Sequence, residues 1–455
     1  MNRINFKSIR IAAMLIAILF SGFANAQTVN LTLKDALNFA LENNAAVKKA
    51  RLDIEGGKYR TDEIRAQALP QINGSASLTD NLIIQRNAIP NIFAGRPDEV
   101  ILVAFGQKWN ANAAVQFSQQ LFNQSVFTGL RAAKAGQNFY ELNAEISEET
   151  LLQNVTAAYY QILITRENLS VIDSNINSLS KIEKTVSNQY RNGLARKIDL
   201  DRVRVNLNNL QTQRQQVQNA VTLAENALKY NMGMDVNTQI TIPEAALSQI
   251  KTDVNLLAST LNLEQLKEYQ LAKQQEELLG YQKKAYQAEY FPSLSLTSNY
   301  LYNGISNKLD LFGGSNSTAR WVDAASIGLS LRIPIFDGNA RKSRVRQAEV
   351  DIEQAKEDTK DAANALKLQF ENAKLQIQNS INTINAQQEN VKLAEDVYAS
   401  TQNNYRNGLA TLTDLLDAEN SLTEAKNSYN QALLNYRLAE VQLIKSNGNI
   451  KSLLN

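Results

Sequence analysis

The chain has no histidine and no cysteine among its 455 residues. Those two absences exclude His/Cys zinc sites, iron–sulfur clusters, c-type haem, serine–histidine or cysteine–histidine catalysis, disulfides and an N-terminal lipobox. Proline (6) and glycine (18) are scarce, which leaves room for long uninterrupted helices. An excess of one charge is missing too. The formal charge is +2, and the N-terminal 26 residues hold Arg3, Lys7 and Arg10 with no acid, so subtracting those three leaves −1 for the remainder. That balance makes no case for nucleic acid as a partner. With 44 % hydrophobic residues the chain has enough apolar material to fold. Asparagine and glutamine are abundant, so many helix faces are polar without being charged.

Residues 1–26 have the pattern of a secretory signal: basic residues, the apolar run Ile11–Phe20, then Ala24-Asn25-Ala26, which predicts cleavage after Ala26. The run is half of the roughly 20 residues a spanning helix needs. No later stretch is apolar enough to serve as one, so any hold on a membrane falls to strands.

The chain is written twice. QYRNGLA at 189–195 returns as NYRNGLA at 404–410, and Asp199-Leu200 returns as Asp414-Leu415. QLFNQS (120–125) corresponds in place to PIFDGN (334–339), and Leu69-Pro70 to Phe291-Pro292. The order helix, proline, strand, loop, strand, long helix, YRNGLA, long helix therefore occurs twice, which predicts pseudo-symmetric architecture. The first repeat covers 27–232 and the second 263–447. An irregular connector lies between them at 233–262, and a short tail follows at 448–455.

Four segments alternate with period two, predicting strands over about 71–86, 110–121, 293–303 and 322–335. In 71–79 Ile72, Gly74, Ala76 and Leu78 oppose Asn73, Ser75, Ser77 and Thr79. In 323–335 Ala325, Ile327, Leu329, Leu331, Ile333 and Ile335 oppose Ser326, Ser330 and Arg332. The length suits a tilted barrel strand. The wet face of a soluble sheet normally carries charge; here it carries Ser, Thr, Asn and Gln almost alone, which suits a lumen wall. Arg332 falls on that face.

A 3-4 apolar rhythm predicts long helices over about 125–187, 198–232, 340–403 and 412–446. Leu415, Ala418, Leu422, Ala425, Tyr429, Ala432, Tyr436, Ala439 and Leu443 keep it without a miss. Each YRNGLA joins two of these helices, its glycine (Gly193 or Gly408) closing one and an acid opening the next. Four strands per chain cannot close a membrane barrel, and an open edge in lipid leaves backbone groups unsatisfied at several kcal/mol each. Several copies must therefore share one barrel, with the helices extending from it as a tube.

The signal segment, the doubled helix–strand–strand–helix order and the tip pattern Tyr405-x-x-Gly408-Leu409 followed by Asp414-Leu415-Leu416-Asp417-Ala418 resemble the TolC / outer membrane efflux protein family. The resemblance covers essentially the whole chain after residue 26. It implies a mainly α fold with a transmembrane β-barrel, as a homotrimer sharing twelve strands in outer-membrane lipid above a helical barrel in the periplasm. It implies no cofactor and no catalysis. The partners it implies are a periplasmic adaptor and an inner-membrane RND pump or ABC exporter, for which this chain is the exit duct.

The resemblance also assigns residues. Asp414 and Asp417 match the family's acidic periplasmic gate, where crowding on an axis would raise some carboxyl pKa values; the plain alternative for Asp414 is dipole complementation at a helix start. Tyr405 and Asp199 match a hydrogen-bond link that holds the mouth closed. The family's arginine after the second glycine is missing from Leu409-Ala410-Thr411-Leu412, and Arg196 is the candidate substitute. Asn192, Gly193, Leu194, Asn407, Gly408 and Leu409 match the adaptor-docking tips; Asn192 and Asn407 stand where the family often has Val. Trp109, Trp321, Tyr300 and Tyr302 are candidates for an interfacial aromatic belt. An adaptor would have one hairpin between compact β domains, and a coiled-coil stalk would have one strand cluster at one end. An enzyme would need a cluster of Asp, Glu, Lys or Tyr that does not stand out. None of these rivals explains two copies.

Overall fold

A computed structural model describes residues 29–91, 95–243, 252–314 and 317–454. The expected signal segment 1–26 lies outside them, as does 244–251 of the expected connector. In chain order the elements are β1 (Val29–Asn30), α1 (Leu33–Asn43), α2 (Ala45–Ala66), β2 (Gln71–Asp80), β3 (Arg86–Asn91), β4 (Arg96–Ala104), β5 (Trp109–Phe122), α3 (Gln124–Arg191) and α4 (Lys197–Met232). They continue with β6 (Ile240–Thr241), α5 (Lys267–Ala288), β7 (Ser293–Ser306), β8 (Arg320–Arg332), α6 (Ala340–Arg406) and α7 (Leu412–Ser446).

The duplication is plain in three dimensions. The order α2-β2-β5-α3-α4 recurs as α5-β7-β8-α6-α7. Helix lengths match almost residue for residue: 22 and 22 for α2 and α5, 68 and 67 for α3 and α6, 36 and 35 for α4 and α7. No described helix is long and apolar enough to cross a membrane.

The chain divides into two compact units. The first comprises the described residues up to Leu52, Leu142–Gln270 and those from Lys360 on. Its apolar seams bury in three clusters. One gathers Leu37 and Ala40 of α1 with Leu152, Val155 and Ile162 of α3, Leu228 and Met232 of α4, and Ile450. The short tail contributes a 3-10 turn, Ile450–Leu454, whose Ile450 joins this core. A second cluster packs Phe370, Ile377 and Ile381 of α6 on Leu434, Tyr436 and Leu443 of α7. The third lies at the helix tips. Within the connector, β6 pairs in parallel with β1.

The second unit, Asp53–Glu141 and Leu271–Thr359, holds a four-stranded antiparallel sheet in the order β2-β5-β7-β8. The register sets its two faces. Rows such as Asn73–Gln116–Asn299–Ser326 and Ser77–Asn112–Asn303–Val322 alternate with Ile72–Phe117–Ser298–Ile327 and Gly74–Val115–Tyr300–Ala325. The sheet therefore has one amide- and hydroxyl-rich face and one largely apolar face, as period two requires. Arg332, paired with Ser293, shares the parity of Ser326 and Ser330 on the polar face.

Several boundaries differ from the sequence reading: β7 runs on to Ser306, α3 to Arg191 and α6 to Arg406, and two strands shift further. The strand expected over 71–86 stops at Asp80; Asn81 closes the ladder, its N–H donating in register to Lys108 O at 2.7 Å and its Nδ2 to Gln107 O at 2.9 Å. Beyond it β3 and β4 form a separate hairpin that alternation did not reveal, since 100–105 is a continuous apolar run and Pro90 interrupts β3. The strand expected over 322–335 begins at Arg320 and ends at Arg332. Its partner β7 starts at Ser293, just after Pro292, which has no N–H to continue the ladder.

Candidate functional site

Two helical hairpins, α3–α4 and α6–α7, end in tips of the same construction. Gly193 and Gly408 both have φ +73°. Leu194 N–H donates to Gln189 O and Gly193 N–H to Tyr190 O; Leu409 N–H donates to Asn404 O and Gly408 N–H to Tyr405 O. This is the Schellman closure, which needs a left-handed residue and therefore glycine. Asn192 and Asn407 are the residues just before the glycines. The motif usually tucks the following apolar residue back onto its own helix. Here Leu194 and Leu409 are 80 % and 79 % exposed, so each tip presents a leucine to the outside.

The tips differ at the start of the next helix. At the second, Thr411 caps α7 with a reciprocal box: its N–H and Oγ1 donate to Asp414 Oδ2 at 2.8 Å each, and Asp414 N–H donates to Thr411 Oγ1 at 3.2 Å. Those bonds hold the Asp414 carboxyl below the usual carboxylate range. The single chain thus displays the capping role weighed for Asp414; the crowding that would raise its pKa needs neighbouring copies. At the first tip, Arg196 takes the Thr411 place with no side-chain cap. Its Nε and Nη2 instead donate to Asp199 Oδ2 and Oδ1 at 3.1 and 3.3 Å. The repeat offset of 215 residues matches Arg196, Asp199 and Arg202 with Thr411, Asp414 and Asp417. Formal charge at these places is therefore +1 at the first tip and −2 at the second.

Beneath both tips one apolar cluster joins the hairpins: Leu179, Ile182 and Val186 of α3, Leu200 and Val203 of α4, and Leu412, Leu415 and Leu416 of α7. Tyr405 packs on its edge, and burial, then the charge of Asp199, pushes the Tyr405 phenol up. Tyr405 and Asp199 are thus neighbours within the chain, yet Asp199 takes its hydrogen bonds from Arg196. Sequence reasoning missed a polar tie between the tips: Arg202 Nη1 donates to Thr413 Oγ1 at 2.6 Å. The partners are 211 positions apart, which leaves no local pattern to find.

The sheet aromatics lie on the apolar face towards the β7–β8 turn. Trp321 stacks on Tyr302, centroids 4.7 Å apart, and its Nε1 donates to Leu311 O at 3.1 Å. Tyr300 lies one row further in, and Trp109 pairs with Ser306 at the opening of β5. Trp321 also covers Gly304, where a Cβ would stand 2.6 Å from the indole.

The chain thus carries long helices with duplicated tips and one two-faced antiparallel sheet to which each repeat contributes two strands. The sequence profile described as "Outer membrane efflux protein" matches residues 36–234 and 261–449, and the chain belongs to that family. It is 23 % identical over 447 residues to outer membrane protein TolC of Salmonella enteritidis, covering 95 % of this chain and 85 % of that one. It is 22 % identical over 420 residues to the alkaline protease secretion protein AprF of Pseudomonas aeruginosa, covering 91 % and 83 %. Among solved structures, the outer membrane protein VceC of Vibrio cholerae superposes with a TM-score of 0.69 at 18 % identity, covering 91 % of this chain and 96 % of that one.

Proposed function

We propose that three copies of this chain form one outer-membrane exit duct, gated at the helix tips and served by a periplasmic adaptor and an inner-membrane RND pump or ABC exporter. The observation that carries this reading is the four-stranded sheet with one polar and one apolar face. Its outer strands β2 and β8 each have one unpaired edge. Lipid cannot satisfy those edges, and four strands cannot close. Pairing β2 of one copy with β8 of the next satisfies all of them, and three copies give twelve strands with the amide-rich face inward. The helices need covering as well: Ile198, Val205, Leu223 and Tyr230 of α4, and Leu368, Leu375, Leu393 and Val397 of α6, are each more than half exposed. Apolar stripes of that extent are normally buried by a partner.

Passage through the duct is passive, and the inner-membrane machine supplies the energy. Residues 1–26 serve as the export signal. Asp414, Asp417, Asp199, Tyr405 and Arg196 form the gate, and the exposed leucine tips dock the adaptor. Outer-membrane fractions should yield trimers that dissociate only on heating and that open discrete channels in planar bilayers. A soluble monomer without channel activity would overturn the reading.

A further inference from the structure

The four strands of the sheet hold four charged residues, Asp80, Arg320, Asp323 and Arg332. The register sorts them by sign. Arg320 pairs with Ile305 and Arg332 with Ser293, on the face that carries Asn73, Gln116, Asn299 and Ser326. Asp80 pairs with Trp109 and Asp323 with Tyr302, on the opposite face, where the Tyr300 hydroxyl donates to Asp323 Oδ2 at 3.5 Å. The polar face therefore has two bases and no acid. Both arginines are exposed, and no carboxylate pairs with either among the described residues. Further bases gather where β7 turns into β8. Lys108 N–H donates to Asn307 Oδ1 at 3.4 Å, which brings Lys108 to the turn that holds Lys308. The one acid of that turn, Asp310, accepts from Ser306, which shares the apolar face with Trp109, and from Thr318.

We propose that Arg320 and Arg332 make the membrane segment of the duct selective for anions, small organic sulfonates and carboxylates among them. The proposal rests on the duct reading, which turns the amide-rich face inward. The two arginines are 12 positions apart on β8. At ~3.3 Å per residue that is roughly 40 Å of strand, or about 30 Å of height at the usual barrel tilt. One ring of arginines then stands near each membrane surface, with amides and hydroxyls between them. Rings of Arg or Lys favour anions in a pore, as rings of Asp or Glu favour cations. Low-dielectric walls focus the field of such a ring, which at 0.1 M salt reaches about 10 Å into the lumen. Asp80 and Asp323 belong to the other face, so no acid of the lumen wall offsets the arginines.

The test is the reversal potential of the full-length protein in planar bilayers, under a gradient of KCl and, separately, of potassium benzenesulfonate. The Arg320→Gln/Arg332→Gln double variant should lower the anion-to-cation permeability ratio in both salts, by roughly twofold or more at low salt. The Arg320→Lys/Arg332→Lys variant keeps the charge and should keep the wild-type ratio. The tips are untouched in every variant, so their acids do not enter the comparison. If the double glutamine variant does not assemble, each single glutamine variant should give a smaller drop of the same sign. Channels whose ratio is unchanged by loss of the arginines would overturn the filter and leave the duct reading standing. An equal drop in the lysine variant would overturn it too, because charge would not be the cause. Absence of channels from the wild-type protein would overturn the duct reading, and this inference with it.

Discussion

Arg202 of the first hairpin donates to Thr413 of the second at 2.6 Å, a polar tie laid over an apolar cluster. Parting the hairpins would break that exposed tie, at a cost of about 0.5–1.5 kcal/mol. Arg202→Ala is therefore expected to raise single-channel conductance in planar bilayers. Asp199→Ala should act likewise, since it frees Arg196 and removes the charge beside Tyr405. Tyr405→Phe tests the Tyr–Asp link in the assembled mouth. Unchanged conductance in Asp199→Ala and Tyr405→Phe together would remove the lock.

Docking at the tips is tested at Gly408, whose positive φ and open surroundings make it the turning point of an exposed surface. Gly408→Glu adds charge beside Leu409 and forces a side chain into the left-handed region, at roughly 1–2 kcal/mol. Folded trimers that no longer capture the adaptor in a pull-down are the expected result. Retained capture would place docking elsewhere.

Glu149 makes stability depend on pH. It is 4 % exposed, and burial, followed by the charge of Glu268, pushes its carboxyl up to about 7, against the pull of Lys451, Lys267 and Lys445. A raised carboxyl pKa favours the protonated folded state. Near and below its unfolded value of 4.5 the penalty is absent; it grows as pH rises and is complete above 7, at roughly 3 kcal/mol. Glu149→Gln should therefore raise the unfolding temperature at pH 8 and change it little at pH 5. Equal shifts at both would argue against an ionised Glu149.

Gly304 is the seat of Trp321. Adding a Cβ there drives the indole off Tyr302, an overpacking cost of about 1–3 kcal/mol. The chain has two tryptophans, so a Trp109→Phe background isolates Trp321. Gly304→Ala should shift its emission in that background; an unmoved spectrum would mean that the stack is absent from the assembled protein.

Much of the architecture was legible because it is periodic. The seam from Leu415 to Leu443 implies a helix wherever it is placed, and alternation from Ile72 to Leu78 implies a two-faced strand. The glycine tips were legible because a left-handed closure leaves one residue type. Other features leave no period. The β4 strand of the β3–β4 hairpin ends in an unbroken apolar run, 100–105, with no alternation to read. Glu419 is buried beside the seam residue Ala418 because the packed stripe is wider than the seam itself. Arg196 was a candidate only through the family resemblance, as a substitute for an arginine missing after Gly408; its partner Asp199, three residues on, is visible only once the helix start is built.

The two tips share a backbone but not a charge: Arg196, Asp199 and Arg202 on one, Thr411, Asp414 and Asp417 on the other. Around a threefold ring, six look-alike fingers would alternate between cationic and anionic. A collar of six identical fingers set against them could seat in every rotational setting by shape, yet electrostatics would split those settings into two unequal classes. A mating ring would thus be indexed like a keyed coupling, and salt strong enough to screen the key would let it slip by one tooth.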